Sequence, residues 1–245
     1  MPETLIQWGF FKVSTLGVFI LGGFIFGYWL SMRLLHARGV ITSSERLRVF
    51  DAALYTFVIG LLGAHLWAAV SIFGFSRAAW EGLWTVQSPL VFMGGLITGY
   101  ATWRYFGRRI APEKVPVWLA CGFAGAMGAL AVGKVGQYLG GASFGKTASV
   151  LAVHGTFALE IIQAAGFACA AYLTIAFLKK DNPVLALRAG AASMLLTYLV
   201  TSFFSVPGPL STPRAVLGLD QWLEIFAIVL VLGGSRWMQK KRGKS

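Results

Sequence analysis

Residues 115–146 read VPVWLACGFAGAMGALAVGKVGQYLGGASFGK. The nineteen positions from Val115 to Gly133 hold no charged side chain. At 1.5 Å per helical residue, about 20 predominantly apolar residues cross a hydrocarbon core about 30 Å thick. Lys134 interrupts the run, and Gln137 follows one turn later on the same helix face. Glycines recur at Gly133, Gly136, Gly140, Gly141 and Gly145. An apolar helix that ends on a cation and a glycine-rich break is a membrane span reaching its interface, so the expected class is an all-α membrane protein.

Composition extends that reading to the whole chain. Of 245 residues, 57% are hydrophobic and only 12% are charged, where a soluble domain carries about 25% charge. A bilayer supplies the apolar solvent that such a surface needs. Seven stretches qualify as spans: Ser14–Met32, Asp51–Phe73, Pro89–Phe106, Val115–Gln137, Val153–Phe177, Val184–Phe204 and Leu219–Met238. The first is read as a retained helix rather than a signal peptide. Only Lys12 stands as a basic residue before it, and the basic segment Arg33–Arg48 follows where a cleavage site would lie. Residues 1–245 are read as a single polytopic membrane domain.

The net charge of +12 would suggest nucleic acid in a soluble chain. Here the basic residues sit in short clusters between apolar runs, with no nucleic-acid motif, so they speak for topology and anionic lipid. Sixteen of the 21 Lys and Arg residues follow spans 1, 3, 5 and 7, and four lie in the alternate segments. Lys134, inside span 4, is the remaining one. Positive-inside placement puts the amino terminus outside and the carboxyl terminus in the cytoplasm, an arrangement that an odd number of spans satisfies. Tryptophans near span ends, Trp29 and Trp103 among them, fit interfacial belts. Cys121 and Cys169 lie in apolar stretches, without metal or redox spacing, and read as buried thiols.

Polar groups are costly in hydrocarbon, so each is a candidate site. Lys134 suits either of two roles: holding a lipid phosphate, or snorkelling to the outer interface. Glu160, in the segment His154–Gln163, needs a partner, and Lys134 at the same outer level is the available one. His65 lies within span 2, and no His, Cys, Asp or Glu spacing implies a metal or other cofactor. Asp220, Gln221 and Glu224 open span 7, where carboxylates favour the positive helix end.

Taken in order, these segments resemble the prolipoprotein diacylglyceryl transferase family. Gly63-Ala64-His65-Leu66 is similar to that family's Gly-Gly-Arg-Leu, and Phe92-Met93-Gly94-Gly95-Leu96 to its Phe-His-Gly-Gly-Leu. Gly133-Lys134-Val135-Gly136-Gln137-Tyr138, continuing through Gly145-Lys146, resembles its Gly-Arg-Ile-Gly-Asn-Phe signature. His154 through Glu160 matches His-Pro-Ser-Gln-Leu-Tyr-Glu, and Asp220-Gln221 stands where Gly-Gln opens the last helix.

The resemblance implies a multi-pass protein of the bacterial cytoplasmic membrane. It would bind phosphatidylglycerol and move its diacylglyceryl group onto the cysteine thiol of a lipoprotein precursor. It also implies a site that includes Lys134, Glu160, Tyr198 and His65, with Gly94, Gly95, Lys134, Gln137, Gly140, Gly141 and Gln221 around the lipid. The chain departs from the pattern at several of these places. Met93 replaces a histidine, Lys134 an arginine, Gln137 an asparagine and His65 an arginine. Gly140 and Ala142 stand for a second asparagine and a glutamate, and the span 6 arginine falls near Tyr198. These departures leave open a non-catalytic relative that binds phospholipid or lipoprotein signal segments. A small transporter subunit is the weaker alternative.

Overall fold

The hydroxyls of this chain show what solvent it folds for. Thr56, Thr98, Thr102, Thr174 and Thr197 each donate to the carbonyl four residues back, at 2.6 to 2.8 Å. Where no water is at hand, a helix's own backbone is the nearest acceptor, so polar side chains fold onto it.

The computed structural model describes residues 4–8, 11–73, 92–140, 152–153 and 156–204. Among these described residues lie six helices: α1 (Thr15–Ala37), α2 (Arg46–Phe73), α3 (Phe92–Ile110), α4 (Val115–Leu139), α5 (Leu159–Leu178) and α6 (Pro183–Ser202). Among the described residues, five helical segments are long and apolar enough to cross a membrane: Thr15–Ala37, Ser43–Trp67, Pro112–Leu139, Leu159–Leu178 and Pro183–Ser202. They coincide with expected spans 1, 2, 4, 5 and 6. Helix α3 occupies the expected third span but continues past Phe106 through Arg108 and Arg109; with Arg104 these place three cations in its last two turns, and it is not among those five. The seventh span, with Asp220, Gln221 and Glu224, lies outside the described residues, as do Gly141, Ala142 and His154.

Among the described residues two short antiparallel ribbons accompany the helices, β1 (Thr4–Trp8) with β2 (Phe11–Ser14), and β3 (Ala152–Val153) with β4 (Thr156–Phe157). The second ribbon occupies the start of the expected fifth span. Its apolar residues read as helix by hydropathy, but they pair as strands, and α5 begins only at Leu159.

The chain divides into two units, Met1–Ser31 with Phe123–Ser245, and Met32–Gly122. In the second, α2 and α3 run antiparallel, with Tyr55 stacked on Phe106 at 5.8 Å at one end and Trp67 against Gly94 at the other. Beside them Trp103 and Trp118 stack at 4.6 Å, and each indole N–H donates to the other residue's carbonyl, at 3.0 and 2.9 Å. Gly107 and Gly122 leave the room that the two rings fill. Trp103, expected in an interfacial belt, is therefore a core residue, 7% exposed. Its ring is buried because its N–H finds an acceptor inside the protein. Trp29, in contrast, is exposed on α1.

Replacing Trp118 by phenylalanine removes one of these hydrogen bonds and part of the stack. Thermal unfolding of the detergent-solubilised protein should show a loss of about 1–3 kcal/mol; an unchanged midpoint would show that the pair contributes nothing.

In the first unit, α1 and α4 run antiparallel, pairing Phe19 with Gly136, Gly23 with Ala129, and Gly27 with Gly125. Helices α5 and α6 form an antiparallel hairpin. Its connection turns at Asp181, whose φ of 54° is left-handed, and the Asn182 side chain accepts the Leu185 N–H at 3.0 Å before Pro183 starts α6. Of the two cysteines, Cys121 is buried as expected. Cys169 is exposed, on the outward face of α5, a surface that an apolar solvent makes compatible with a thiol.

Candidate functional site

The site is built at the end of the first unit opposite the α5–α6 turn. On α4, Lys134 is half-buried, and its Nζ donates to Gln137 Oε1 at 3.0 Å. The three-residue spacing places both on one face, as the sequence led one to expect. An ammonium carries three N–H donors, and Gln137 takes one of them. Open space lies beside Gly133, where an added Cβ would meet nothing within 4 Å. One turn further, Gly136 is pressed against the Phe19 ring of α1. The Gly140 N–H donates to Gly136 O at 2.9 Å, so this amide closes the helix.

Glu160 lies in the first turn of α5 and is 1% exposed. Its carboxylate lies close enough to Lys134 for the two charges to act on each other. That juxtaposition fits the physical demand made of Glu160, since an ionised carboxylate out of water requires an opposite charge.

A second polar contact continues along the same face. Gln163, three residues after Glu160 and 7% exposed, reaches to α6, where its Nε2 donates to Thr201 Oγ1 at 3.1 Å. Thr201 gives its own proton to the carbonyls of Thr197, at 2.8 Å, and Tyr198, at 3.2 Å. A hydroxyl has one proton, so Thr201 Oγ1 must accept from Gln163, and the glutamine must present its amide nitrogen there. The other end of the amide, Gln163 Oε1, is buried with no hydrogen bond among the described residues. A buried acceptor left in that state costs about 1–3 kcal/mol. One turn along, Tyr198 packs its ring on Phe167 at 5.4 Å.

Of the residues singled out from sequence, Lys134, Gln137, Gly140, Glu160 and Tyr198 thus belong to one unit. His65, Gly94 and Gly95 belong to the other. His65 is half-buried on α2. Gly94 and Gly95 let α2 and α3 approach, because a Cβ on Gly94 would strike Gly63 O and Trp67, and one on Gly95 would sit 3.1 Å from Gly60 O. Gly141 and Gln221 lie outside the described residues. Sequence reasoning passed over Gln163 and Thr201. The available signal was an amide one turn from Glu160 in an otherwise apolar helix, where every polar group needs a reason.

No individually curated protein matches the chain. The family model described as prolipoprotein diacylglyceryl transferase matches residues 3–232, from the first ribbon to the last basic cluster. With that match over nearly its whole length, and with its apolar helices, this multi-pass membrane protein belongs to the prolipoprotein diacylglyceryl transferase family.

Proposed function

We propose that this protein binds phosphatidylglycerol by its phosphate at Lys134 and runs a diacylglyceryl transfer onto the cysteine thiol of a lipoprotein precursor. The observation that carries the reading is the polar group at the end of α4: Lys134 held by Gln137, with the Glu160 carboxylate in electrostatic range. A lysine that binds nothing needs neither partner when it can reach the interface by itself. The chain takes seven spans, with the amino terminus outside and the carboxyl terminus in the cytoplasm of a bacterium. That topology places the Lys134 end of α4 at the outer leaflet, and the basic Lys179-Lys180 turn inside.

In the transfer, the thiol sulfur attacks the glyceryl carbon that bears the phosphate. A C–S bond forms, the C–O bond breaks, and glycerol phosphate leaves with the electron pair. Lys134 stabilises the charge on that leaving phosphate, and the thiol proton passes to the Glu160 carboxylate. Tyr198, in the same unit, completes the set of side chains assigned to the reaction.

One observation favours a second reading, in which the same site binds lipid without reacting. Met93 stands where the family carries a histidine, and a thioether can neither take nor give a proton.

The deciding experiment mixes membranes containing the protein with phosphatidylglycerol and a single-cysteine lipobox peptide, and examines the peptide by mass spectrometry. A thioether-linked diacylglyceryl adduct is the expected result. Bound lipid with no adduct would overturn the transfer step and leave the non-catalytic reading. Neither lipid nor adduct would overturn both.

A further inference from the structure

The buried acceptor on Gln163 says what else the ligand must carry. Helix α5 aims Glu160 and Gln163 from one face, a turn apart, and Thr201 fixes which end of the glutamine amide is left over. The leftover atom, Gln163 Oε1, is an oxygen buried beyond nine-tenths and answered by no donor among the described residues. An acceptor in that position calls for an O–H or N–H donor, which a ligand can bring. The cation that would hold an anion, Lys134, is joined to this face through Glu160. A ligand that satisfies both ends joins a phosphate to a neighbouring hydroxyl.

Resting on the reading of Lys134 as a phosphate site, we propose that Gln163 is the headgroup-selecting residue of this protein. Its Oε1 accepts a hydroxyl of the terminal glycerol of a phosphoglycerol lipid, with Thr201 as the positioning residue that turns the amide. A phosphodiester of the same charge without hydroxyls engages Lys134 but leaves Gln163 Oε1 without a donor among the described residues. Discrimination against it follows from that loss, because an orphaned buried acceptor is penalised more than a satisfied one is rewarded. Thr201 acts only through the glutamine: valine keeps its shape and removes the hydroxyl, whereas serine keeps the hydroxyl.

The test uses the full chain reconstituted in bilayers containing equal amounts of phosphatidylglycerol and phosphatidylethanol. Both are singly charged phosphodiesters, and only the first has headgroup hydroxyls. After purification, mass spectrometry reads the ratio of the two retained lipids. The wild-type protein should favour phosphatidylglycerol about tenfold. Gln163→Met and Thr201→Val should bring the ratio close to one with total anionic lipid preserved, and Thr201→Ser should keep the preference. A wild-type ratio near one, with both lipids retained, overturns the role of Gln163 alone; it needs no variant to fold. A preference that survives in folded Gln163→Met also overturns it. If the wild-type protein retains neither lipid, the Lys134 reading falls and this proposal falls with it.

Discussion

Reversing the charge at Lys134 should strip phosphatidylglycerol from the purified protein, lowering retained lipid about 100-fold. Hydrogen bonds to charged groups contribute about 1.5–3 kcal/mol, which is about 10- to 150-fold in occupancy. Lys134→Glu removes those bonds and also sets a second carboxylate near Glu160, so phosphate meets repulsion where it met a cation. The arginine variant gives the opposite outcome. Lys134→Arg keeps the charge and adds a planar fork that grips phosphate in two places, and it restores the residue type that the family signature carries. Retained lipid should stay at or above the wild-type level. The measurement is lipid mass spectrometry on monodisperse protein, with the unfolding midpoint taken in parallel, so that loss of fold is not mistaken for loss of site. Lipid unchanged in Lys134→Glu would show that the lysine only snorkels.

The two polar partners were readable in the sequence to different depths. Lys134 and Gln137 could be paired from spacing alone, because three residues along a helix is a fixed geometry. Glu160 could be assigned to Lys134 by cost, since a carboxylate in an apolar helix has few affordable neighbours. Gln163 could not be assigned, because its partner lies 38 positions away on α6 and that pairing depends on helix register. Spans were legible for a similar reason: hydropathy reports the solvent around a helix. It does not report backbone pairing, so the β3–β4 ribbon was absorbed into the fifth span. Nor does it separate a tryptophan at the membrane interface from one whose N–H is satisfied inside. Trp103 has the sequence position of the first and the hydrogen bond of the second.

Gly27→Leu should cost the protein more than about 3 kcal/mol, most of what a marginally stable fold can lose. Helices α1 and α4 meet backbone to backbone. A Cβ on Gly27 would lie 2.7 Å from Gly125 O and 2.8 Å from the Ala129 Cβ, and one on Gly23 would lie 2.6 Å from Ala129 O. Backbone carbonyls cannot rotate aside as a flexible side chain can, so the helices must part. In hydrocarbon their association rests on this close packing, because lipid tails solvate apolar surface as well as a neighbouring helix does. Gly22 supplies the control on the same helix. It is exposed, with nothing within 4 Å of an added Cβ, and Gly22→Leu should leave stability unchanged. Unfolding midpoints of the two variants in one detergent make the comparison, and similar midpoints would refute the packing argument. The consequence reaches the site, because the seam that begins at Gly27 ends where Phe19 covers Gly136, in the turn of α4 that holds Lys134 and Gln137. A milder variant, Gly23→Ala, that still folds should therefore lose lipid retention along with stability, joining the packing of α1 to the chemistry at Lys134.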